Sequence, residues 1–196
     1  MDESNRQLDA AHVAKRLAKE LNARGQEYAI GGAIALGYWA APRGTIDVDV
    51  TLYWPPGKAS ECIWLLQEIG CEATSLEALQ SIKENGFCRV SQDGLRVDVF
   101  LPTSPFYADA KERRQVVDLD GQAIVIWDAE SLVVFKMMFF RRKDLADVEQ
   151  VLRTQLSALD RGWIREKLVA LYGARDPRIS QWDELLVEVD MSSKGI

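Results

Sequence analysis

The 196-residue chain carries 24 Lys plus Arg against 30 Asp plus Glu, a formal charge of −6, with 47% hydrophobic and 28% charged residues. That balance fits one globular domain, or one with a modest helical extension, and disfavours a protein that tracks long nucleic acid by charge. A single histidine, His12, leaves no HExxH site and no multi-histidine metal cluster, and neither a GxxxxGK[ST] nor a GxGxxG loop is present.

Along the chain, Leu8, Val13, Leu17 and Leu21 with charges between them predict an amphipathic helix over 6–24, ending near Gly25. Residues 27–30 read as a short strand followed at once by Gly31-Gly32, and 33–41 as a small alanine-rich buried helix stopped by Pro42. Over 46–53, Asp and apolar residues alternate with period two, a strand, and Trp54-Pro55-Pro56-Gly57 is a loop. Helices are predicted at 58–69 and 76–84, with Gly70 and Gly86 as stops. Residues 87–90 and 95–101 form a hairpin across Gln92-Asp93-Gly94, and a second hairpin over 115–127 turns at Asp120-Gly121. Helices at 129–142, 144–156, 162–172 and 181–189 complete the chain. The predicted organisation is an α/β core over 1–127, with a mixed sheet flanked by helices, and a helical part over 128–196 packed on it.

Cys62, Cys71 and Cys88 are an odd set without CxxC spacing, which predicts reduced thiols and a cytoplasmic location. The start, Met1-Asp2-Glu3-Ser4-Asn5, lacks the features of a secretory signal. The longest apolar stretch, 131–140, is interrupted by Lys136 and far short of the ~20 residues of a membrane span.

The residues that could carry chemistry start at Asp47 and Asp49. Two apart in a strand, they share one face while Val48 and Val50 take the other. Paired carboxylates repel unless a cation lies between them, and oxygen-only ligands suit Mg²⁺ or Mn²⁺. The later strand repeats the pattern, with Arg96, Asp98 and Phe100 on one face; if the two strands pair, three carboxylates converge. The competing reading of Asp47 and Asp49 is an exposed strand face, and Asp118-Leu119-Asp120 reads as a solvated hairpin end. Gly31-Gly32 reads equally as a tight strand-to-helix turn, Thr45 as a strand former and Arg43 as a surface charge.

Gly31-Gly32, a short helix, Arg43-x-Thr45-x-Asp47-x-Asp49 and a later Asp98 in an apolar strand together resemble the DNA polymerase β nucleotidyltransferase superfamily, in particular small abortive-infection-type toxin nucleotidyltransferases. Asp128, Leu132, Lys136, Arg141, Lys143-Asp144 and Asp147 are similar to the helical K…R-x-K-D-x-x-D block of that family, and the likeness covers about residues 25 to 155. It implies that Gly31 and Gly32 let backbone N–H groups approach NTP phosphates. It also implies that Asp47, Asp49 and Asp98 hold two Mg²⁺ ions and that Asp98 helps deprotonate an acceptor hydroxyl. Arg43, Thr45, Lys136, Lys143 and Asp147 are then nucleotide-binding residues. On one continuous helix Lys136, Lys143 and Asp147 share a narrow face, for which the alternative is a solvated basic surface.

The implied reaction moves an NMP from an NTP to a hydroxyl on an RNA end such as a tRNA acceptor, a protein or a small antibiotic, and the toxin-type resemblance implies a toxin–antitoxin or phage-defence system with an antitoxin protein as partner. Lys136, Arg141, Arg142 and Lys143 would grip a short RNA end. Two rivals are a DxD glycosyltransferase, in which Gly31-Gly32 and the helical block have no role, and a catalytically silent module of the same fold. His12 is expected at the surface, the cysteines in the core, and the tryptophans in core or rim positions, with one of them available to stack on a base.

Overall fold

The computed structural model describes residues 9–55, 57–73 and 75–193; Leu8 of the first predicted helix and Pro56 of the predicted loop lie outside the described residues. In chain order the described elements are α1 (Ala10–Ala23), β1 (Tyr28–Ile30), α2 (Gly32–Trp39), β2 (Asp47–Leu52), α3 (Ala59–Glu68), α4 (Ser75–Asn85), β3 (Phe87–Gln92), β4 (Leu95–Phe100), α5 (Phe106–Glu112), β5 (Gln115–Leu119) and β6 (Gln122–Ile126). The helices α6 (Ala129–Phe139), α7 (Arg142–Gln155), α8 (Arg161–Tyr172) and α9 (Pro177–Ser193) follow. The chain divides into two compact units. One runs to Ile34 and resumes over Gly44–Ile126; the other takes Ala35–Arg43 and everything from Trp127 onward. Residues 35–43 thus cluster with the helices that follow Trp127.

The first unit is built on a mixed sheet of order β3-β4-β2-β1-β6-β5. β1 runs antiparallel to β2 and parallel to β6, β2 is parallel to β4, and β3–β4 and β5–β6 are antiparallel hairpins. Alternation decides the faces. Val48, Val50, Leu52, Val97 and Val99 are at most 1% exposed, whereas Asp47, Asp49 and Arg96 are half-buried. Burial of each such valine or leucine contributes about 1.5–3 kcal/mol, so a one-residue register slip would forfeit the core face. Both hairpins turn on Asp-Gly pairs in the left-handed region, Asp93 (φ 53°)-Gly94 (φ 75°) and Asp120 (φ 45°)-Gly121 (φ 83°). Arg16 of α1 holds the first turn through both oxygens of Asp93, at 2.7 Å each. α1 starts at Asp9, whose side chain accepts from the Ala11 N–H, and packs its buried Val13, Leu17 and Leu21 side on β6 and β2. α5, with Phe106, Tyr107 and Ala110 buried, falls where the sequence reading assigned no element. Only two turns long, it lacks the apolar repeats that reveal longer helices.

In the second unit α6 packs on α7 and α8, and α9 on α7 and α8. Leu132, Val133, Val134, Met137, Val148, Val151, Leu152, Ile164, Leu168 and Trp182 form its core, each 1% exposed or less. α6 ends three residues earlier than expected. Phe140 takes the left-handed cap (φ 55°), and its N–H bonds the Lys136 carbonyl. A left-handed phenylalanine gives no glycine signal, which is why the stop was not legible. α9 begins at Pro177, suited to a first helical position, four residues ahead of the expected start. Among the described residues no helix is long and apolar enough to cross a membrane.

Candidate active site

β2 and β4 lie side by side with Asp47 opposite Arg96 and Asp49 opposite Asp98, and β3 places Arg89 opposite Asp98. Paired residues share a sheet face, so Asp47, Asp49, Asp98, Arg89 and Arg96 gather on the side away from the valines. The expected common facing of the two Asp-bearing strands is present. Immediately before β2, the Thr45 hydroxyl donates to Asp47 Oδ1 at 2.6 Å and fixes that carboxylate. Gly31, at the end of β1, donates its N–H to the Asp49 carbonyl at 2.9 Å. Gly32 opens α2 with φ +58°, and a Cβ there would run into the Asp49 carboxylate. Gly31-Gly32 is thus a tight turn and also the point where backbone comes closest to the second aspartate.

The three carboxylates are not drawn together into a preformed metal cage. Among the described residues no three His, Cys, Asp or Glu side chains form a group that could hold an ion. Asp47 and Asp98 are instead engaged by arginines of the same sheet face. Asp98, 8% exposed, accepts from Arg89 Nε at 2.8 Å and Nη2 at 3.4 Å, which raises the Arg89 pKa. Arg96 pairs through Nη2 with Asp47 Oδ2, while its Nε lies 3.7 Å from Asp98 Oδ1. The donor set on this face, the carboxylates of Asp47, Asp49 and Asp98, is all oxygen, a chemistry that suits a hard divalent cation. Arg89 and Arg96 were not singled out as site residues from the sequence. The signal existed: Arg96 is two residues from Asp98, and a two-residue Asp-Gly turn sets Arg89 opposite Asp98.

The second block takes a different form from that expected. Lys136 is on α6 and Lys143 on α7, with the break at Phe140 and Arg141, so the single helix face proposed for them does not exist. Lys136 is buried at 6% exposure, and its Nζ donates to Asp147 Oδ2 at 2.6 Å. Arg43 grips the same carboxylate with Nε on Oδ1 and Nη2 on Oδ2, both at 2.9 Å. Asp144, fully buried, binds Arg141 Nε at 2.6 Å and has Lys136 Nζ at 3.8 Å. Burial disfavours charge on Asp147, yet the hydrogen bonds from Arg43 and Lys136 outweigh it and hold its carboxyl below the ordinary value. Arg43, Lys136 and Asp147 form an ion network internal to the helical unit, while Arg142 and Lys143 are exposed. His12 is exposed, the three cysteines are buried, and Trp64 is 62% exposed against 3% for Trp127 and 0% for Trp182. A cavity of about 410 Å³ in the first unit, lined by Glu27, Tyr28, Lys111 and Arg114 among others, contains none of the expected site residues.

Comparison with solved structures supplies the fold. The antibiotic-resistance factor ANT(2″)-Ia in solution matches with a TM-score of 0.58 at 13% identity, covering 85% of this chain and 96% of that one. Its crystal structure with adenylyl-2″-tobramycin matches at 0.57, also with 13% identity, over 83% and 98% of the two chains. The chain has the nucleotidyltransferase fold. A candidate nucleotidyltransferase from H. pylori agrees, with a TM-score of 0.51 and 14% identity over 98% and 96% of the two chains. No family model and no curated protein sequence matches the chain.

Proposed function

We propose that this nucleotidyltransferase-fold chain transfers an NMP from an NTP to a hydroxyl acceptor, using Mg²⁺ or Mn²⁺ held by Asp47, Asp49 and Asp98. The observation that carries the reading is the register of Asp49 with Asp98, on one sheet face and with Gly32 against the Asp49 carboxylate. In the reaction an acceptor oxygen forms a bond to the α-phosphorus, the bond from that phosphorus to the β-phosphate bridging oxygen breaks, and pyrophosphate leaves. The acceptor proton passes to a carboxylate oxygen of Asp98, which the Arg89 hydrogen bond holds in orientation. Thr45 keeps Asp47 oriented, and the backbone N–H groups after Gly31 at the start of α2 face the phosphates without an intervening Cβ. Asp47, Asp49 and Asp98 would hold the divalent cation, which would supply charge neutralisation to the triphosphate.

The acceptor class favoured is a small hydroxyl compound. ANT(2″)-Ia, of the same fold, is seen with adenylyl-2″-tobramycin. A net charge of −6 attracts a cationic small molecule and repels an RNA end. The resemblance to toxin-type enzymes keeps a tRNA end or a protein as the second reading, with an antitoxin as its partner. Incubation with each α-labelled NTP, Mg²⁺, a panel of aminoglycosides and total cell extract tests both. Label in the small-molecule fraction, lost in Asp49→Asn, is the expected result; label in RNA or protein favours the second reading, and no label from any NTP overturns both.

A further inference from the structure

We propose that Arg96 is the resident counter-ion of the carboxylate face, that a divalent cation loads by displacing its guanidinium from Asp47, and that the displaced guanidinium then serves the incoming triphosphate. This rests on the reading of Asp47, Asp49 and Asp98 as metal ligands. The two arginines on the face are held very differently. Arg89 makes two hydrogen bonds to Asp98 from the facing position of the hairpin. Arg96 pairs with Asp47 through Nη2, but its Nε is buried with no hydrogen-bond partner among the described residues and stands 3.7 Å from Asp98 Oδ1, beyond hydrogen-bond reach. A guanidinium offers five N–H donors in a fixed fork, and one left with a buried unmet donor is the weaker-held of the two. Asp47 cannot give the same oxygen fully to Arg96 and to a metal ion, so the two cations compete for it. Arg96 remains anchored by its strand, and its side chain is 38% exposed, so displacement leaves a positive charge on the face where the phosphates arrive.

Competition and reuse have opposite signatures. Mn²⁺ binding to the full-length chain without nucleotide, followed by electron paramagnetic resonance of unbound Mn²⁺, is expected to be about tenfold tighter in Arg96→Gln than in wild type. At saturating Mn²⁺ a non-hydrolysable NTP should bind Arg96→Gln about tenfold more weakly. Arg96→Lys keeps a cation but loses the fork; it should tighten Mn²⁺ by about threefold, and it decides the matter if Arg96→Gln does not fold. Asp49→Asn serves as the control for site binding. If Mn²⁺ binds wild type in an Asp49-dependent way and neither Arg96 variant binds it more tightly, Arg96 is not a competing counter-ion and the transfer reading stands. If Mn²⁺ binding tightens but NTP affinity is unchanged, the reuse of the guanidinium is overturned. If no chain shows Mn²⁺ binding that Asp49→Asn removes, the metal-ligand reading fails and this inference with it.

Discussion

At φ +58° Gly32 occupies a backbone region that side chains enter at a cost of roughly 1–2 kcal/mol, and the Cβ of an alanine there would also displace the Asp49 carboxylate. Gly32→Ala should therefore lower the melting temperature by about 3–6 °C and abolish transfer. Gly44→Ala, at a position with open space around the added Cβ and no positive φ, should change stability by less than about 0.5 kcal/mol. Calorimetry and the labelling assay on the two variants separate a backbone requirement from a general intolerance of change near β2. Asp49→Asn keeps the side-chain volume and removes one of three neighbouring negative charges. It should reduce transfer at least about a hundredfold while the metal-free melting temperature holds or rises. Transfer within about tenfold of wild type would exclude Asp49 as a ligand. At this scale the acidic residues were legible because period-two alternation states which side chains share a face. Arg89 and Arg96 were passed over because a cation beside a carboxylate looks like an ordinary surface pair until the register sets both on the sheet face of the aspartates.

Strands and hairpins were the elements most fully legible, since Asp-Gly turns and alternating valines specify pairing as well as position. That β2 and β4 pair in parallel, with α3, α4 and β3 between them in the chain, is set by tertiary packing and has no local signal. The α6–α7 junction shows the opposite limit. Two helices were expected there, but the left-handed Phe140 ends the first three residues early, and Lys136 and Asp147 are a buried pair bridging the two helices. The pair makes an element-scale prediction. Asp147→Asn leaves the Lys136 ammonium buried without its nearest carboxylate and should cost about 3 kcal/mol at pH 7. Because the folded Asp147 carboxyl titrates below its ordinary value of 3.8, its stabilisation is complete above that value and is lost as the pH falls through the lower folded one. The stability gap between wild type and Asp147→Asn, measured by urea unfolding, should thus be constant near neutrality and narrow below about pH 4. A gap that stays constant into acid would mean that the Asp147 charge does not hold the helices together.

The whole chain is threaded so that neither compact unit is continuous in sequence. The first unit is interrupted by Ala35–Arg43, which belongs to the second, and α2 begins in one and ends in the other. Unravelling either unit therefore breaks the same helix, and loss of one should carry the other with it. Two probes report separately. Cys62, Cys71 and Cys88 all lie in the first unit, buried and unpaired, and burial pushes each thiol up to about 12. At pH 8 they should be inert to a thiol reagent until that unit opens. With Trp54→Phe and Trp64→Phe in place, the remaining tryptophans, Trp127 and Trp182 buried among them, all lie in the second unit, so emission changes when its helices separate. In a urea series, thiol labelling in short pulses and tryptophan fluorescence should give one midpoint, the mark of a two-state transition. Two midpoints would show that α2 does not couple the units. Residues 127–196 alone, which lack Ala35–Arg43 and with it the Arg43 partner of Asp147, should then be made and tested: a fragment with native helicity and a sharp transition would refute the coupling outright.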